Sequence, residues 1–161
     1  MEERGYAYRR SESGEHQTIS RGLMRFNVSD WNGRDITLKI YCIIKEGSPG
    51  ELEIYLINDF GELPPEPQGD PQNPDDPGDV TYYWNLYQTG IKVGSVQLEA
   101  GSWLTITIPG DKVADYKTGS GVIAFMFKLA DESGTYDYYG LETYEYADKA
   151  NIELPYIEWG P

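Results

Sequence analysis

The sequence predicts an all-β domain, an antiparallel two-sheet sandwich of the jelly-roll kind with about nine strands. Apolar and polar residues alternate in strand after strand, and no window carries a helix-period apolar stripe for more than about two turns. Met24, Phe26 and Val28 face one way while Arg25 and Asn27 face the other; Ile36, Leu38, Ile40, Cys42 and Ile44 extend the pattern over a longer run. Such half-apolar strands must bury one side against a second sheet. A sandwich has no built-in cleft, so function is expected in its loops or on an exposed face.

Taken in order, Tyr6 to Arg10 reads as a short first strand, followed by a polar loop from Ser11 to Ser20 that holds the only histidine, His16. Arg21 to Val28 is the second strand. Asn32-Gly33 supplies the φ > 0 pair favoured in tight hairpins, so Asp35 to Lys45 is expected to return antiparallel beside it. After the Gly47-Ser48-Pro49-Gly50 turn, Glu51 to Asn58 points Leu52, Ile54 and Leu56 inward, and the three strands read as a meander. From Asp59 to Asp79 the composition shifts to six prolines and seven acids with no base, which cannot order itself by burying apolar surface and predicts a long surface loop. Strands resume over Val80 to Tyr87, Val93 to Glu99 and Ser102 to Ile108, and Asp111 to Tyr116 fits a single helical turn. Gly121 to Ala130 is apolar on both faces, as a central strand buried on two sides would be. Tyr136 to Tyr144 and Leu154 to Trp159 complete the set.

At 161 residues the chain fits one domain, 1–161. A net charge of −14 argues against a nucleic-acid partner, which would need lysines and arginines to displace counterions, and against an anionic membrane surface. No apolar run is long enough to insert in a membrane, and no signal peptide is visible. Charge is unevenly placed: all six arginines precede residue 35, whereas Asp131 to Trp159 holds eight acids against Lys149. This asymmetry predicts that the first and last strands pair. Cys42 is the single cysteine, so no internal disulfide is available, and its place between Ile40 and Ile44 predicts a small buried hydrophobe.

Three segments together resemble one family. Arg21-Gly22-Leu23-Met24-Arg25-Phe26-Asn27-Val28-Ser29 is similar to its "R-G-L-x-R-F-D-L-S" strand, and Asp35-Ile36-Thr37-Leu38-Lys39-Ile40-Tyr41 to the "A-T-L-x-L-Y" strand that follows. Ser102-Trp103-Leu104-Thr105-Ile106 is similar to "W-x-x-F-D-V-T", and Gly140 to Trp159 to the closing "S-x-E … P-x-L-x-V" segment through Glu145 and Pro155-Tyr156-Ile157. The family is the DNRLRE, or disaggregatase-related, group of domains, akin to carbohydrate-binding modules. The resemblance implies a β-sandwich of a surface or secreted protein, extracellular or at the cell surface, cut from a larger parent and binding polysaccharide or assembling with other copies. It also implies a structural calcium between the first loop and Glu142 or Glu145. The proline-rich loop departs from the family pattern, as does Asn27 where an aspartate is usual.

Two tyrosine-rich clusters, Tyr82-Tyr83-Trp84 with Tyr87, and Tyr136-Asp137-Tyr138-Tyr139 with Tyr144 and Tyr146, can bear on a ligand. An aromatic face stacks on the C–H face of a sugar while nearby polar groups take its hydroxyls. Tyr82, Tyr83, Tyr87, Tyr136, Tyr138 and Tyr144 are the candidate glycan contacts; cross-strand aromatic packing is the alternative for each cluster. Trp84 and Trp103 are expected in the core. Asp70, Asp75, Asp76 and Asp79 can offer oxygens to calcium, but their spacing lacks the glycine and terminal glutamate of a calcium loop, and the prolines at 71, 74 and 77 make a solvated linker the stronger reading. Glu145 can instead pair with Arg21 or Arg25. Asn27-Val28-Ser29 is an N-glycosylation sequon with Asn27 on the outward side.

Enzymatic arrangements find little to work with. One histidine and one cysteine leave no Cys/His pair, few zinc ligands and no phosphate-cradling glycine motif. A two-carboxylate glycoside-active site is the one catalytic arrangement that 27 acids permit. The expected function is a non-catalytic glycan-binding module, with a structural or adhesive module of a surface layer or stalk as the alternative.

Overall fold

The computed structural model describes residues 4–11, 18–46, 50–61, 85–132, 138–141 and 155–161, with side chains for 21–42, 50–61, 85–132 and 155–161. The strands are β1 (Arg4–Ser11), β2 (Thr18–Asn27), β3 (Ile36–Glu46), β4 (Glu51–Ile57), β5 (Ile91–Gln97), β6 (Ser102–Ile108), β7 (Val122–Leu129), β8 (Tyr138–Leu141) and β9 (Tyr156–Trp159). A 3-10 turn covers Leu86–Thr89, and helix α1 spans Gly110–Tyr116. No helix among the described residues is long and apolar enough to cross a membrane.

The nine described strands form an all-β, two-sheet antiparallel sandwich, five in the first sheet and four in the second. The first sheet runs β2-β7-β4-β5, with β1 added outside β2. In the second, β3 lies between β6 on one flank and β9 on the other, and β8 continues that second flank along the far half of β3.

Parity builds the core. Met24 and Phe26 of β2, Ile36, Leu38, Ile40 and Cys42 of β3, Leu52, Ile54 and Leu56 of β4, and Ile123, Phe125 and Phe127 of β7 meet between the sheets with Leu104, Ile108 and Ile157. Phe26 and Phe125 pack edge to face at 5.8 Å. Cys42 is buried, as its apolar neighbours predict. β7 is buried on both sides: Ala124 and Met126 point away from this core into a second cluster with Leu23, Ile57, Phe60 and Leu86. Val113 brings α1 against the main core, and the Asp35 carboxylate accepts a hydrogen bond from Gly110 N at 2.8 Å at the start of that helix.

Several expectations are corrected. β2, β3 and β4 are not a meander: β2 and β4 belong to the first sheet and β3 to the second, so Asn32-Gly33 turns a corner between layers. Gly33 does take the positive φ, 89°, that the pair predicts. The reason is that a strand crossing between sheets carries the same alternation and turn residues as a hairpin partner. The first and last strands do not pair either; β1 pairs β2, whereas β9 pairs β3. Within the strand expected over Val80 to Tyr87, residues 80–84 lie outside the described residues and Leu86–Thr89 is a 3-10 turn. Of the acidic loop, residues 62–79 also lie outside them.

The sheets close on each other along one side, where β5 turns directly into β6. The β4–β5 register slips between Ile54 and Tyr55, so Val93 has no partner and a bulge turns both Val93 and Gly94 inward. A Cβ on Gly94 would run into Ile106 Cδ1. Gly94→Ala is therefore expected to cost about 1–3 kcal/mol by overpacking. Ile106→Val removes the obstructing methyl and should recover part of that loss in the double variant, read as the urea unfolding midpoint; strictly additive losses would show that the contact does not limit β5 to glycine.

Candidate functional site

The inward set of each strand dictates its outward set. With Ile36, Leu38, Ile40 and Cys42 in the core, β3 presents Thr37, Lys39 and Tyr41; with Leu104, Ile106 and Ile108 inside, β6 presents Trp103, Thr105 and Thr107; β9 presents Tyr156 and Glu158. Register arranges them as a grid: Trp103 beside Tyr41, Thr105 beside Lys39 beside Tyr156, and Thr107 beside Thr37 beside Glu158.

Three rings gather at one end. Trp103 meets Tyr41 at 5.5 Å and 70°, and Tyr156 at 5.5 Å and 72°, both edge to face. Trp103 is 36 % exposed and is the large hydrophobic most open to solvent among the described residues. The expectation that it lies in the core is corrected: bulk pointed inward, but parity with Leu104 and Ile106 places it outside. Neither Tyr41 nor Tyr156 was singled out from the sequence. Both sit at outward positions of otherwise alternating strands, and that parity was the available signal.

The first sheet's outer face is sealed instead. Phe60 and Leu86 cover Leu23, Ile57, Ala124 and Met126. Around them Arg21, only 7 % exposed, donates from Nε and Nη2 to the Glu132 carboxylate at 3.0 and 2.7 Å. Lys128 reaches Glu53 at 3.2 Å and Glu132 at 3.8 Å, and Lys92 reaches Glu53 at 3.1 Å. The candidate Tyr87 lies here: Arg21 and Lys128 sit 5.1 and 5.7 Å from its ring centre, and Tyr55 packs on it at 5.6 Å. Its ring packs on Tyr55 and beside these two cations from the 3-10 turn, half-exposed. Burial raises the Tyr55 hydroxyl pKa, and the neighbouring Glu53 carboxylate raises it further. Burial alone would raise Glu53, but its bonds to Lys92 and Lys128 hold it below the ordinary carboxylate value.

Of the other candidates, Tyr82, Tyr83, Tyr136 and Tyr144 lie outside the described residues, as do Asp75, Asp76, Asp79, Glu142 and Glu145, and for Tyr138 the described backbone lies opposite Glu46. Among the described residues no three His, Cys, Asp or Glu side chains gather to hold a metal ion. Arg21 and Arg25, offered as partners for Glu145, bind Glu132 and Asp59. Asn27 of the sequon is exposed, and its Oδ1 accepts from Ser29 N at 2.9 Å. It lines a cleft of about 260 Å³ with Ser29, Asp30 and Trp159.

No family model matches the chain, and no similar sequence is found among curated proteins. The family resemblance thus rests on the strand motifs alone.

Arg25 and Asp59 anchor the start of the acidic segment through two bonds, 2.7 and 2.9 Å. Burial would raise the Asp59 pKa, but Arg25 and the backbone N–H groups of Phe60 and Gly61 pull it below its ordinary value. A carboxylate with a depressed folded pKa stabilises the fold above its unfolded pKa, about 3.9, and loses that contribution as pH falls through the folded value. Asp59→Asn is therefore expected to lower stability by about 1–3 kcal/mol at neutral pH and to match the parent in strong acid. Urea titrations across pH test this; a deficit that persists in acid would mean that the pair's charge is not the stabilising element.

Proposed function

We propose that the chain is a non-catalytic glycan-binding module whose binding surface is the outer face of the second sheet. The observation that carries this reading is the ring trio on that face, an exposed Trp103 flanked by half-buried Tyr41 and Tyr156, continued by the hydroxyls of Thr37, Thr105 and Thr107. Aromatic faces remove sugar C–H surface from water, and hydroxyls beside them exchange hydrogen bonds with the sugar. The binding locus accordingly moves from the tyrosine-rich segments to rings mounted on strands, which hold them more rigidly than loops would.

The motif resemblance to the disaggregatase-related group supports the same reading and adds an extracellular or surface-exposed setting within a larger parent. A structural or adhesive module is the competing role. In that role the trio would be a contact between copies, and its loss would change self-association rather than retention on polysaccharide.

Affinity electrophoresis through gels containing soluble polysaccharides separates these roles. Trp103→Ala is expected to weaken retention by about tenfold or more, with Tyr41→Ala and Tyr156→Ala intermediate. Trp103→Ala also removes two edge-to-face ring contacts, so a lower unfolding midpoint is expected, and retention is compared at a temperature where the variant remains folded. Undiminished retention in Trp103→Ala, or no retention of the parent on any polysaccharide, overturns the proposal.

A further inference from the structure

We infer that the second-sheet face selects uncharged glycan chains, and that Glu158 is the specificity-determining residue that keeps it so. The inference rests on the glycan-binding reading above and adds the chemical class of the ligand. Of the eight described side chains on this face, three are aromatic, three are threonines, and the charged ones are Lys39 and Glu158. Lys39 stands in the middle strand between the aromatic row and the threonine row, opposite both Thr105 and Tyr156. It is the position from which a cation would reach a sugar carboxylate or sulfate lying across the sheet.

Glu158 answers that charge. Its Oε1 lies 3.8 Å from Lys39 Nζ, and both groups remain open to water, at 56 % and 31 % side-chain exposure. Such a pair adds little to stability. What it does is leave the face locally neutral, so an acidic sugar gains no net Coulombic attraction and must displace a carboxylate to obtain one. The rest of the chain works in the same direction: a net charge of −14 repels polyanions at range, within the roughly 8–10 Å over which salt allows charges to act. Uncharged hydroxyls meet no such penalty, since each threonine hydroxyl can donate or accept.

The face also suits a chain rather than a single sugar. From Trp103 to Thr107 is four residues of strand, about 13 Å at roughly 3.3 Å per residue, with rings at one end and hydroxyls at the other. One sugar would use either end; a polymer uses both.

The test runs the full chain through gels of neutral polysaccharides (galactomannan, xyloglucan, mixed-linkage β-glucan) and acidic ones (polygalacturonate, alginate), at low and at high salt, beside Trp103→Ala and Glu158→Gln. The parent is expected to be retarded by at least one neutral polymer, equally at both salt levels, and by neither acidic one. Trp103→Ala should lose that retardation. Glu158→Gln should keep it and gain retardation in the acidic gels that the parent lacks, most clearly at the higher salt level, where the repulsion from the chain's net charge is screened. Salt-sensitive retardation of the parent by an acidic polymer, lost in Trp103→Ala, overturns the charge selection while leaving glycan binding in place. Failure of Glu158→Gln to gain acidic binding overturns the role of Glu158. No retardation of the parent in any gel overturns both this inference and the reading beneath it.

Discussion

The apolar slab between the sheets is the constraint on which the rest of the structure depends. Once Phe26, Phe125 and Phe127 are buried with the aliphatic rows of β3 and β4, every neighbouring strand must put its apolar parity inward. The outward set follows without further choice, because a one-residue slip would carry the whole inward row of a strand into water. Trp103, Tyr41 and Tyr156 are outside for this reason. They occupy the polar parity of strands whose other parity is committed to the core.

The two outer faces solve the same problem in opposite ways. Beside the acidic segment, the first sheet's outward positions include Leu23, Ile57, Ala124 and Met126, which would be an apolar patch; Phe60 and the 3-10 turn cover them, and a ring of ion pairs closes the rim. In that ring Arg21, Arg25, Lys92 and Lys128 answer Glu53, Asp59 and Glu132, so a strongly acidic chain spends many of its few cations on one face. Partly buried pairs of this kind do more to pin geometry than to add free energy, since desolvation offsets much of their attraction. The second sheet's face carries the Lys39–Glu158 pair and keeps Trp103 open.

Much of the fold was legible because alternation is a direct consequence of burial. The inward rows of β2, β3, β4 and β7, the buried Cys42 and the doubly buried β7 all follow from period-two reading. Layer assignment was not legible, because Asn32-Gly33 looks the same whether the chain returns beside its neighbour or crosses to the facing sheet. Pairing of the terminal strands failed on a related ground: bulk charge asymmetry says which segments attract, but backbone register decides which lie side by side. The outer-face rings were overlooked by weighing residue density over position. Runs such as Tyr82-Tyr83-Trp84 draw attention, whereas three isolated aromatics from three strands become a surface only after register brings them together. Trp103 shows the error most clearly, since its own strand's alternation already excluded it from the core.

Register therefore carries the argument about function further than composition does. Tyr41 and Trp103 are 62 positions apart in the chain and Tyr156 lies a further 53 beyond Trp103, yet β3 brings them within one ring contact of each other because it pairs with β6 on one flank and β9 on the other. A change that shifted either pairing by two residues would keep every side chain on its own face but would force the core to repack. It would nonetheless separate the rings and set Lys39 against a different neighbour. Parity alone would admit such a shift, so the actual register is held by the interlocking of particular inward side chains. It is aided at its ends by the Asn32 side chain that donates to Gly160 O at 2.8 Å and by the backbone bond from Gly101 N to Cys42 O at 2.8 Å. These ties sit at the two ends of the β3 pairings, where they help fix the outer grid without adding to the apolar interior.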